Sequence, residues 1–156
     1  MQAEASEANF ISTRRCRIAD MKTAHIVLIE DNLGDVLLVE MALRESRIPY
    51  ELTRFATGED AVCALCTADG SPKLSFCPDA ILLDLNTPKG DGVEVLGALR
   101  QSPNLADVPI AVITSSQARG DKHRTLLLGA VRYIVKPSQA EQFLSAVGAA
   151  VKEMLA

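Results

Sequence analysis

Five short apolar runs alternate with stretches of helical periodicity, and this alternation is the tightest constraint on how the chain folds. The runs lie at residues 25–30, 50–55, 79–84, 109–114 and 131–135. Within them "AILLDL", "IAVIT" and "YIV" are nearly all apolar, as parallel strands covered on both faces should be. Helical patterns are predicted at residues 33–46, 58–68, 91–101, 118–128 and 138–155, with Pro88, Pro103, Pro109 and Pro137 at boundaries. Five β-α units in regular order predict an α/β fold. The expected architecture is a doubly wound, five-stranded parallel sheet with right-handed crossovers and helices on both faces. The last helix carries Ala140, Phe143, Val147, Ala150, Val151 and Met154 on one face, a core-facing stripe. Leu144 and Leu155 lie beside it and either widen that stripe or serve a partner.

A chain of 156 residues suits one domain with a single full core. Its net charge of −4 argues against a nucleic-acid backbone as partner, which needs a clustered basic face. No apolar run reaches the roughly 18 residues that would span a bilayer. The first twenty residues, "MQAEASEANFISTRRCRIAD", lack the apolar core of a secretory signal. They read as a flexible or partner-docking extension (1–20) ahead of a compact domain (21–156), and Met21 is itself a candidate start. Of four cysteines, Cys63 and Cys66 form a C-x-x-C inside the helical pattern "GEDAVCALCTAD". No second ligand pair stands at a zinc-like spacing, so small, semi-buried helix residues are the expectation. Reduced thiols and no export signal point to the cytoplasm.

In sheets of this kind the chemistry gathers at the carboxyl ends of the strands. The first run ends at Glu30 and Asp31, and the third at Asp84. The fourth ends at Thr114 and Ser115, and the fifth at Lys136. Three carboxylates, a hydroxyl pair and an ammonium therefore collect on one edge. Neighbouring acids repel one another, and an oxygen-rich cluster of this kind suits Mg²⁺. A carboxylate beside Mg²⁺ can attack a phosphoryl group and hold it as an acyl phosphate. Positioned cations and donors, Lys136 and the Thr114 hydroxyl here, suit the charge that spreads over the phosphoryl oxygens.

The segments "IEDN", "LLDLNTPKGDG", "PIAVITSS" and "GAVRYIVKP", in this order, resemble the receiver domain of two-component response regulators. The likeness covers about five-sixths of the chain. It implies the flavodoxin-like fold with strand order 2-1-3-4-5 and a phosphorelay role. Asp84 is the implied phosphoacceptor, with Mg²⁺ held by Asp31, Asp84 and the backbone carbonyl of Asn86. Glu30 is the implied contact to metal-bound water, Lys136 the phosphate-sensing cation, and Thr114 with Tyr133 the switch pair. The family's Lys-Pro bond is commonly cis, so a cis Lys136–Pro137 bond is expected. "IEDNLGDVLLVEMALRE", "CPDAILLDLNTPKGDGVEVLGALR" and "VPIAVITSS" further resemble the single-domain regulators of phytochrome-type histidine kinases. That likeness implies such a kinase as partner, with a histidine phosphotransfer protein as a second donor, and a homodimer. Thr87 before Pro88 and the stretch "LLLGAVRY" depart from the family pattern.

Two rival readings share the sheet. A haloacid-dehalogenase-type phosphohydrolase wants a second acid two residues after its nucleophile, where Asn86 stands here. A flavodoxin-like cofactor carrier would offer donors to a phosphate in its first loop; "EDNLGD" offers carboxylates instead.

Overall fold

Each apolar run forms a strand and each periodic stretch a helix in the computed structural model, which describes residues 22–69 and 74–156. The expected extension at 1–20 lies outside the described residues. The strands are β1 (Ala24–Ile29), β2 (Tyr50–Phe55), β3 (Ala80–Leu83), β4 (Ile110–Thr114) and β5 (Arg132–Val135). The helices are α1 (Leu33–Glu45), α2 (Gly58–Leu65), α3 (Gly92–Gln101), α4 (Arg119–Leu127) and α5 (Ala140–Met154), with a 3₁₀ turn at Pro103–Leu105. All strand pairs are parallel and their order is β2-β1-β3-β4-β5. The doubly wound α/β expectation holds.

Side-chain alternation splits the core into two halves. Val27, Ile29, Ile81, Leu83, Ile110 and Val112 face α2 and α3, where Ala61, Leu65, Leu96 and Leu99 meet them. Ile26, Leu28, Leu82, Ala111 and Ile113 face α1 and α5, against Val39, Leu43, Phe143, Val147 and Val151. Strands buried on both sides need no polar face, which explains their unbroken apolar runs. Each such side chain contributes about 1.5–3 kcal/mol by leaving water.

Three helices start on side-chain caps. Asn32 accepts from the Asp35 N–H, Thr57 from the Asp60 N–H, and Asp91 from the Val93 N–H. Gly92, at the start of α3, has no room for a side chain: a Cβ there would lie 2.3 Å from the Leu85 Cα. Bare backbone at Gly92 lets α3 seat directly against the loop that follows β3.

Several expectations are corrected. Every peptide bond among the described residues is trans, including Lys136–Pro137. A trans X–Pro bond keeps the intrinsic preference of about 0.5–1 kcal/mol, and Lys136 reaches its partners without giving that up. Helix α2 stops at Leu65 rather than 68, because tertiary partners capture the backbone beyond it. The Thr67 N–H donates to Ser102 Oγ at 2.9 Å, and Asn104 Nδ2 donates to the Leu65 carbonyl at 2.9 Å. On α5, Phe143, Val147, Ala150 and Val151 are buried as expected, whereas Ala140 is exposed. Leu144 and Leu155 pack against the core, so they widen the buried stripe. Exposed apolar surface lies elsewhere: Leu33, Leu37 and Met41 on α1, and Leu126, Leu127, Leu128 and Val131 around the end of α4.

Candidate functional site

The parallel ladder runs one rung past three strand ends. The Glu30 N–H donates to the Phe55 carbonyl, the Asp84 N–H to Ile29, and the Lys136 N–H to Thr114. Backbone pairing therefore seats Glu30, Asp84 and Lys136 along one edge of the sheet, with Thr114 at the end of β4 between the last two. Carboxylate oxygens of Glu30, Asp31 and Asp84 all lie within 4.8 Å of one another. Among the described residues this is the one grouping of His, Cys, Asp and Glu side chains close enough to hold a metal ion. Cys63 and Cys66 belong to no such grouping.

Glu30 and Asp84 are 2% and 4% exposed, while Asp31 faces solvent. Like charges so close and so dry demand compensation. Lys136 Nζ supplies it, at 2.8 Å from Glu30 Oε2, 2.9 Å from Asp84 Oδ2 and 2.7 Å from Asp35 Oδ2. Burial pushes the Glu30 carboxyl up to about 7, with the Asp84 charge adding to the rise, against the pull of Lys136 and the Asn32 N–H. Burial alone would lower the Lys136 pKa, but its contacts with Asp35, Glu30 and Asp84 outweigh that and hold it above the ordinary lysine value. An all-oxygen donor set with this much uncompensated charge fits a hard divalent cation.

The acceptor side of the site is ordered by hydrogen bonds. Asp84 Oδ1 accepts from the Asn86 N–H at 3.0 Å, leaving Oδ2 to Lys136. Asn86 Nδ2 donates to Thr114 Oγ1 at 3.0 Å and to Ser115 Oγ at 3.2 Å. Thr114 is wholly buried. Its hydroxyl also accepts from the Ser116 N–H, and the Ser116 carbonyl accepts from Tyr133 Oη at 3.0 Å. A continuous chain of contacts thus runs from Asp84 through Asn86, Thr114 and Ser116 to Tyr133. Tyr133 is half-buried against the core, and burial raises its phenol above the usual range. Ser116 Oγ donates to Asp121 Oδ2 and accepts from the Ala118 N–H, so it steadies the start of α4. That helix buries only Thr125, a weak attachment to the body of the domain.

The site thus brings together Glu30, Asp31, Asp84, Asn86, Thr114 and Lys136, with Tyr133 one contact further out. Sequence reasoning missed two residues. Asp35, in the first turn of α1, is a third partner of Lys136. Arg54 on β2 donates to the Glu30 carbonyl at 2.9 Å and the Asp31 carbonyl at 3.1 Å, clamping the loop that carries both acids. A readable signal for Asp35 was its place in "EDNLGD"; for Arg54 there was only a cation within an otherwise ordinary strand.

Residues 26–148 match the family described as response regulator receiver domain. Response regulator Rcp1 of Synechocystis is 41% identical over 96 residues, covering 62% of this chain and 65% of that protein. The aligned segment thus spans slightly less than two thirds of that relative. The crystal structure of the phosphorylated cyanobacterial phytochrome response regulator RcpA is similar, with a TM-score of 0.78 and 32% identity. It covers 86% of this chain and 96% of that one. Mn²⁺-bound Rcp1 gives a TM-score of 0.73 at 32% identity, covering 85% and 94%. With the family matched across residues 26–148 and the fold matched alongside it, the chain belongs to the response regulator receiver domain family.

Proposed function

We propose that the chain accepts a phosphoryl group on Asp84 from a phytochrome-type histidine kinase and signals by a change of surface. The observation that carries this reading is the pocket itself: three carboxylates within 4.8 Å, with an ammonium 2.9 Å from the central one. The phytochrome link is supported by the similarity to RcpA.

In the transfer step, an Asp84 carboxylate oxygen bonds to phosphorus as the bond from phosphorus to the donor imidazole nitrogen breaks. The electron pair of the broken bond returns to the imidazole. Mg²⁺, held by Asp31, Asp84 and the Asn86 carbonyl with Glu30 beside it, would supply positive charge for the phosphoryl oxygens when bound. Lys136 holds an ammonium at Asp84 Oδ2, on the side where that charge develops. The Asn86 N–H fixes the other oxygen, so the carboxylate cannot swing freely. Such a chain carries one phosphate and turns over no substrate of its own.

Thr114 and Tyr133 act as the switch pair in this reading. New acceptor oxygens on Asp84 compete for the Thr114 hydroxyl. That draws on the contact chain through Asn86 and Ser116, and Tyr133 and α4 respond at its far end. A histidine phosphotransfer protein is an alternative donor, and the cytoplasm is the setting for either.

The test is direct. Incubation with a phosphorylated phytochrome-type kinase and Mg²⁺ should transfer about one base-labile phosphate per chain. Tyrosine fluorescence should change in step, in a chain with two tyrosines and no tryptophan. Catalytic hydrolysis of phosphate esters would instead favour the phosphohydrolase reading.

A homodimer is the assembly we infer, supported by the exposed Leu126, Leu127, Leu128 and Val131. Light scattering should give twice the chain mass of 16.7 kDa. A single-chain mass at micromolar concentration would count against it.

A further inference from the structure

We infer that Asp35 is a positioning residue that tethers Lys136, keeping the ammonium in the site when a cation claims the oxygens of Glu30 and Asp84. The inference rests on the proposed phosphoacceptor reading and names a residue that reading does not use.

An ammonium has three N–H donors, and those of Lys136 are all engaged, by Glu30, Asp84 and Asp35. Two of these partners belong to the cluster of mutually close acids; Asp35 does not. It is nevertheless the shortest contact, at 2.7 Å, and the most exposed partner, with 27% of its side chain accessible. A divalent ion drawn to Glu30, Asp31 and Asp84 repels Lys136 and competes with it for the same oxygens. Without an anchor outside the cluster, the ammonium either blocks the ion or is driven away from Asp84. Asp35 is an anchor of that kind.

Local structure frees Asp35 for the task. A carboxylate in the third position of a helix ordinarily reaches back to the cap residue's N–H. Here the Asn32 N–H is already taken by Glu30 Oε1 at 3.1 Å. The Asp35 backbone is held by the Asn32 side chain at 3.0 Å, which aims its own side chain away from the cap. Asp35→Asn keeps the shape and the backbone cap bond, so the variant retains the fold.

The test is a cycle of four proteins: wild type, Asp35→Asn, Lys136→Ala and the double variant. Binding of Mn²⁺ alone is followed by electron paramagnetic resonance. With Lys136 present, Asp35→Asn should weaken binding about fivefold, because the ammonium, left with Glu30 and Asp84 as its only carboxylate partners, competes with the ion for their oxygens. In the Lys136→Ala background the same substitution should change binding less than about twofold, the residue of a partly screened charge. An equal factor in both backgrounds, or no weakening in the first, overturns the tether. The same four proteins unfolded in urea without metal give a second readout: Asp35→Asn should lower the midpoint only where Lys136 is present. If the wild type takes up no Mn²⁺, the cation reading fails and the urea midpoints alone decide the tether. Phosphate transfer to the wild type, measured separately, judges the acceptor reading.

Discussion

Asp84→Asn should reduce base-labile phosphate on the chain to background, whether the donor is acetyl phosphate or a phosphorylated histidine kinase. The amide has nearly the shape of the carboxylate it replaces. Its carbonyl oxygen can still accept from the Asn86 N–H or from Lys136, so the packing of a residue only 4% exposed is kept. What disappears is the nucleophile, since an amide oxygen does not form a stable acyl phosphate. The neighbouring acids are poor substitutes. Glu30 is pinned by Lys136 and the Asn32 N–H, and Asp31 sits on the exposed side of the cluster. Label retained at the wild-type level after Asp84→Asn would rule Asp84 out as the acceptor.

The same substitution separates function from stability. Asp84→Asn removes one of three crowded negative charges, so the metal-free variant should unfold no more easily than the wild type. Lost label together with an unchanged or raised urea midpoint points to chemistry; lost label with a collapsed midpoint points to misfolding.

What the sequence made legible follows from periodicity. Strands covered on both faces read as apolar runs, and each run's end marked a residue on one edge of the sheet. Glu30, Asp84, Thr114 and Lys136 all stand at or just past such ends. The rest was hidden by distance along the chain or by rival local explanations. Asp35 meets Lys136 across 101 positions, and an acid in a helix's first turn already has an ordinary explanation in the helix dipole. Arg54 acts on backbone carbonyls, which leave no trace in sequence. The early end of α2 depends on Ser102 and Asn104, partners from another helix end and turn. The cis expectation at Lys136–Pro137 came from family habit rather than from these residues, and it failed as well.

Lys136→Ala should expose how much of the domain's stability depends on one ammonium. Its side chain is 15% exposed and contacts carboxylates just past β1 and β3 and in the first turn of α1. Removing it leaves Glu30 and Asp84 charged, close and nearly dry. Breaking a buried pair from one side costs about 3–5 kcal/mol; partial solvent access at Asp35 and Asp31 brings the expectation to about 2–3 kcal/mol in EDTA. The loss should grow with pH. Burial already holds the Glu30 carboxyl at about 7 with the Lys136 contact pulling it down, and without that contact it rises further. A carboxyl raised in the folded state favours folding while protonated and loses that advantage as pH climbs through its folded value. At pH 6 Glu30 is therefore largely neutral in both proteins and its share of the gap small; at pH 8 the wild type carries a Glu30 carboxylate paired with Lys136, which the variant can form only unpaired, and the gap is wide. Mg²⁺ at millimolar concentration should close most of the gap at pH 8, because the cation supplies the charge that the ammonium no longer does. Urea midpoints of both proteins at pH 6 and 8, with and without Mg²⁺, measure all of this at once. A gap independent of both pH and Mg²⁺ would mean that Lys136 supports the fold by packing alone, and that its charge is not what holds the acids together.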